Sequence, residues 1–90
     1  MKHVVKRQGH TEEYDSRKLY ASVYAACLSV RATTGEAELV AEKVVAHVDD
    51  WLKNKHEVTA HDIRRIAAKH FRPYNANAAY MYLNHREWHR

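Results

Sequence analysis

Lys6 and Arg7 stand side by side just before Gly9, and a second basic pair, Arg17 and Lys18, follows an acidic stretch that holds Glu12, Glu13 and Asp15. Two cations at a glycine turn and two more at the start of a helix are residue types that hold phosphate. Lysine offers a mobile point charge, and arginine a planar fork that also stacks on a base. Val4, Tyr14 and Leu19 lie among them and could wall a flat ring such as adenine, while Glu12 and Asp15 supply acceptors for an exocyclic amine or a ribose hydroxyl. Spacing alone does not separate this nucleotide reading from ordinary solvated charges around a hairpin tip.

The elements that must carry these residues follow from local pattern. His3 to Lys6 and Thr11 to Tyr14 can both extend, and Gln8 with Gly9 offers a tight turn, so the segment predicts a β-hairpin. Asp15 is a natural N-cap, and Leu19, Val23, Ala26, Cys27 and Val30 share one helical face, which predicts a helix from about Ser16 to Val30. A break at Ala32 to Gly35 precedes a long amphipathic helix on Leu39 or Val40, Val44, Val48 and Trp51 or Leu52. His56 to Val58 is a short third strand or a connection. Thr59 and Asp62 resemble a capping box ahead of Ile63, Ile66, Ala67, His70 and Phe71, which predicts a third helix. Pro73 ends it, and Ala79, Tyr82, Leu83 and Arg86 mark a fourth helix over 78–90. The expected fold class is α+β, a small β-hairpin or three-stranded sheet capping a four-helix bundle, in one domain spanning residues 1–90.

Composition narrows the setting. The 90 residues carry a net charge of +4, which suits an anionic partner without choosing among nucleotide, nucleic acid and membrane surface. Cys27 is the only cysteine, so no intrachain disulfide can form, and an apolar neighbourhood suggests a packed thiol in a reducing compartment. Cytoplasm is the expected location, since neither an export signal nor a membrane anchor is visible.

The order Val4, Lys6, Arg7, Gly9, Glu12, Tyr14, Asp15, Lys18, Leu19 resembles the signature of the ATP-cone family. The resemblance continues through Val58 and Thr59, the helix after them, and a final helix rich in Ala and Tyr that ends in basic residues. It implies a β-sheet cap over four helices that binds ATP or dATP, with Mg2+, and acts as an allosteric switch. Such modules sit at the amino terminus of many ribonucleotide reductase large subunits and in the zinc-ribbon repressor of reductase genes. By this resemblance Lys6 and Arg7 contact the phosphates and the nucleotide, and Val4, Tyr14 and Leu19 enclose the base. Glu12 and Asp15 lie near base and sugar, Lys18 is the motif's second lysine, and Thr59 opens the third helix. A basic residue of the last helix near the phosphates is best matched by Arg86, with His85 and Arg90 as rivals.

Two departures stand out. Gln8 occupies the place of the usual aspartate, and within these residues there is neither a reductase domain nor a CxxC pair for a zinc ribbon. A stand-alone, non-enzymatic switch is therefore expected, one that changes self-association or its grip on a partner protein. No nucleophile with an adjacent base is evident. His85 and His89 lie one helical turn apart, but solvated terminal histidines are the favoured reading and no metal site is assigned. Tyr20, Tyr24, Tyr80 and Tyr82 fall at core-like positions, where packing is favoured over self-association. Arg64, Arg65 and Lys69 form a basic patch on helix three that is either solvated, completes a phosphate site or makes a second one. The alternatives are a small basic DNA-binding regulator using helix three, and an interaction module without nucleotide binding.

Overall fold

The computed structural model describes residues 4–7 and 9–84, and for Val4 and Arg7 the backbone alone. The hairpin forms as β1 (Val4–Arg7) and β2 (His10–Glu13), antiparallel, with Val5 opposite Glu12 and Lys6 opposite Thr11. Gly9 turns the chain at φ 88°, a left-handed conformation that glycine adopts without a Cβ penalty. The ambiguous segment after the second helix is a strand, β3 (Glu57–Thr59), which pairs parallel to β1 and makes β1 the centre of a three-stranded sheet.

Four helices complete an α+β fold: α1 (Ser16–Ser29), α2 (Thr34–Leu52), α3 (Ala60–Phe71) and α4 (Ala76–Leu83). Each starts on a side chain that accepts a backbone N–H otherwise left without a partner. Asp15 accepts from Arg17 N at 2.9 Å, Thr33 from Glu36 N at 3.1 Å, Thr59 from Asp62 N at 2.9 Å and Asn75 from Ala78 N at 2.9 Å. Thr33 with Glu36 and Thr59 with Asp62 close reciprocal capping boxes. The break after α1 is made by Arg31 at φ 68°, with Ala32 N donating to Cys27 O at 3.1 Å, while Gly35 lies inside the first turn of α2. A left-handed non-glycine closing a helix is not signalled by residue type, so the break falls earlier than the Ala32 to Gly35 expected from sequence.

One core joins the sheet to the helices. Phe71, Leu52, Val23, Val44, Val48 and Cys27 are fully buried, and Val5 and Val58 bring the sheet onto them. Each such apolar side chain contributes about 1.5–3 kcal/mol by leaving water. Val40 and Leu52 are the inward members of the pairs the sequence left open; Leu39 is exposed and Trp51 half-buried. Tyr82 is buried, Tyr20 and Tyr24 are half-buried and stacked, but Tyr80 is 67% exposed. The expected packing of Tyr80 is therefore wrong: α4 turns Ala78, Ala79 and Tyr82 inward, which directs Tyr80 outward. His70 is half-buried, its ring stacked on His47 of α2 at 4.2 Å between centroids, and burial and the neighbouring His47 lower its pKa. Among the described residues no helix is long and apolar enough to cross a membrane.

Candidate functional site

A cleft of about 480 Å³ opens where the sheet, α1 and the first turns of α3 meet, with Tyr82 of α4 also on its wall. That volume lies within the roughly 300–1,000 Å³ typical of small-molecule sites. Val5 and Glu12 reach it together because they are cross-strand partners on one face of the pleat. Tyr14 and Asp15 enter from the β2–α1 junction, and Lys18 and Leu19 from the first turn of α1. Ser22 and Ala25 continue the α1 wall at i, i+4 and i+7 from Lys18, so small side chains keep that wall low. Ala60, Ile63 and Arg64 close the opposite side from α3.

Polar and apolar side chains share the lining of this trough. The Tyr14 hydroxyl donates to Asp49 Oδ1 of α2 at 2.9 Å, which fixes the half-buried ring in the wall. Burial first, and then this bond and the Asp49 charge, push the Tyr14 hydroxyl well above the usual tyrosine range. Burial pushes Tyr82 up to about 12, with Arg64 nearby pulling it back. Asp15 is held below the ordinary carboxylate range by the side-chain and backbone hydrogen bonds it accepts from Arg17. The site thus offers Asp15 as an ionised, acceptor-only carboxylate and two cations, Lys18 and Arg64, beside an apolar wall.

Five residues of the signature converge here: Glu12, Tyr14, Asp15, Lys18 and Leu19 all line the cleft. Others do not. Lys6 alternates with Val5 onto the other face of the sheet, where its Nζ lies 3.5 Å from Glu57 Oε1. Arg17 turns back on Asp15, Nε to Oδ1 3.3 Å, with a side chain 91% exposed. Thr59 spends its hydroxyl on the N-cap of α3, and its neighbour Ala60 is the one that meets the cleft. The backbones of Val4 and Arg7 lie in β1; Arg86, His85, Arg90 and the His85–His89 pair fall outside the described residues.

Val5, Ile63, Arg64 and Tyr82 were not assigned to the site from sequence. Two adjacent valines leave the strand phase open, and only pairing to Glu12 and Val58 decides that Val5 faces inward. Ile63 and Tyr82 have the periodicity of core residues, which they also are. Arg64 had a signal: it is the one basic residue of the helix-three patch displaced toward the apolar side. Arg65 and Lys69 are exposed and away from the cleft.

Comparison with known proteins agrees with the signature. The ATP cone domain family matches residues 2–90, essentially the whole chain. No match was found among curated proteins or among solved structures. ATP-cone domains are nucleotide-binding regulatory modules that take ATP or dATP. The sheet cap, the four helices and the convergence of the motif on one cleft accord with that match, and the chain belongs to the ATP-cone family.

Proposed function

We propose that this chain binds ATP or dATP in the cleft and that occupancy switches its self-association or its hold on a partner protein, in the control of ribonucleotide reduction or nucleotide metabolism. The observation that carries the reading is the convergence of Glu12, Tyr14, Asp15, Lys18 and Leu19 on one trough of nucleotide size. The base lies against Val5, Tyr14 and Leu19, and Glu12 and Asp15 accept from its amine or from the ribose. Lys18 and Arg64 meet phosphate. Lys6 faces away from the cleft beside Glu57, so it and Arg7 take the phosphate role the family motif gives them by a shift of the hairpin on binding; the exposed Lys6–Glu57 pair given up in that shift contributes at most about 1 kcal/mol. Val4, Thr59 and Arg86 keep the roles the family motif gives them.

Among the described residues no group of three or more His, Cys, Asp or Glu side chains gathers around a cation position. Mg2+ accompanying the nucleotide would be carried by the phosphates and would offset their charge beside Lys18 and Arg64. The chain's own part is to bind and to change state. For ATP and dATP to have different consequences, the two states must differ in their affinity for each, since a ligand that binds both equally shifts nothing.

Calorimetry with ATP and dATP, paired with the mass in solution for each, tests the proposal. Saturable binding, a rise in melting temperature and a nucleotide-dependent mass or partner affinity are expected. Neither heat nor thermal stabilisation at millimolar nucleotide would sink it.

A further inference from the structure

The cleft uses Arg64 and leaves the rest of the charge on α3 without a role. From Ala60 to Arg72 four residues are exposed, His61, Arg65, Lys69 and Arg72, and all four are basic. Ile63, Ile66, Ala67, Ala68 and Phe71 occupy the buried side. Successive spacings of four, four and three keep the exposed set within an arc of about 80° and make a stripe roughly 17 Å long. Asp62, the one acid on the helix, is engaged in the capping box with Thr59 and lies 3.7 Å from Arg65. The neighbouring helix is the reverse: α2 exposes Glu36, Glu38, Glu42, Asp49 and Asp50 against Lys43 as its one lysine.

A merely solvated helix face gains by interspersing its charges, because like charges at i, i+4 repel. Arg65 and Lys69 stand at i, i+4 with Arg72 three residues on, so this face keeps a repulsion that an anionic partner would relieve. Its length matches a run of phosphates, one per about 3.4 Å along each strand. The arc exposes no apolar side chain to enter a lipid layer, as a membrane-surface helix requires. We propose that the outward face of α3 binds the phosphate backbone of nucleic acid without regard to sequence, through Arg65, Lys69 and Arg72 with His61 at the amino-terminal end.

The test is fluorescence anisotropy of the whole chain on a labelled duplex of arbitrary sequence, about 20 base pairs long, over a salt series. Three neutralised phosphates give a log–log slope near −2.7, so affinity falls roughly 40-fold between 50 and 200 mM salt. The triple variant R65Q/K69Q/R72Q, altered only at exposed positions, is expected to keep its melting temperature and its stabilisation by ATP while losing at least about tenfold in duplex affinity at low salt. Lys43→Gln on α2 leaves duplex affinity unchanged. Wild-type protein that shows no salt-dependent binding, or a triple variant that binds as the wild type does, overturns the proposal. So does binding to phosphatidylserine vesicles with none to the duplex, or a dimer that the triple variant loses while neither protein binds DNA. Because ATP stabilisation is read separately, this proposal and the cleft reading fail independently.

Discussion

Lys6, Arg17 and Lys18 are close in the chain and strangers in the fold, whereas the cations of α3 are dispersed along the chain and aligned in space. Strand alternation sends Lys6 to the outer face of the sheet, where it meets Glu57; helix phase sends Arg17 out to Asp15 and Lys18 into the cleft. On α3 the 3.6-residue period does the opposite, gathering Arg65, Lys69 and Arg72 on one side and leaving Arg64 alone on the cleft. The period of the element, and not the crowding of charges in the chain, decides which cations can act together. Among the described side chains each region also gives one cation to the cleft, Lys18 from the first and Arg64 from the second, so the proposed phosphate site is shared between them.

That division ranks the effects of removing single charges. Lys18→Ala and Arg64→Ala should weaken ATP most, each by about 1.5–3 kcal/mol for a charge-assisted contact, or roughly ten- to 150-fold, with the apo melting temperature nearly unchanged. Calorimetry on the two variants checks this, and equal affinity in either would remove that residue from the site. Lys6→Ala is expected to cost about tenfold, since phosphate must first replace Glu57, and Glu57→Gln should then bind at least as well as the wild type. A loss of ATP affinity in Glu57→Gln would mean that the outer-face pair, and not a freed Lys6, supports binding.

Tyr14→Phe keeps the ring but removes the bond to Asp49, and Asp49→Ala removes the same bond from the α2 side. One hydrogen bond contributes about 1 kcal/mol, so each variant should lose roughly fivefold in ATP affinity, and the double variant little more than either alone. Additive losses would show that Tyr14 and Asp49 act separately. Arg17→Ala, adjacent to Lys18 in sequence but turned away from the cleft, should leave ATP affinity within about twofold, as its exposed pair with Asp15 contributes little.

Much of this arrangement could be read before any coordinates. Asp15 and Thr59 announce their helices by cap chemistry, and the buried faces of α1 and α3 follow their apolar periods except that Val30 and His70 are only half-buried and Ala68 joins the core. What resisted reading was set by partners distant in sequence. The inward choice of Val5 needs β2 and β3, and the strand at Glu57–Thr59 exists because β1 offers its free edge, not because three residues insist on extension. Tyr80 misled because α4, capped by Asn75, turns Ala78, Ala79 and Tyr82 inward, a phase that an aromatic-rich run does not advertise. Arg64 is the instructive case for the site. Its type fits the basic patch, but its position, one residue short of the exposed arc, was already the sign that it belongs to the other face.

The smallest expected effect separates the two regions by their capping acids. Asp15 is held below the ordinary carboxylate range mainly by its hydrogen bonds from Arg17, and Asp62 mainly by those from Thr59. A carboxylate whose folded pKa is depressed binds fewer protons folded than unfolded, so its stabilisation is complete above the ordinary value of 3.8 and disappears as pH falls through the folded value. Asp15→Asn and Asp62→Asn keep an acceptor oxygen at each position but cannot titrate. Each should therefore be slightly less stable than the wild type near neutrality, by the charge-dependent part alone, and flatten the loss below pH 3.8, measured by melting temperature against pH. The Asp62 variant should in addition steepen the salt dependence of duplex binding, because Arg65 loses its nearest acid, while the Asp15 variant leaves that slope alone. A change of slope in the Asp15 variant instead would tie the two basic regions into one anion surface and dissolve the contrast between them.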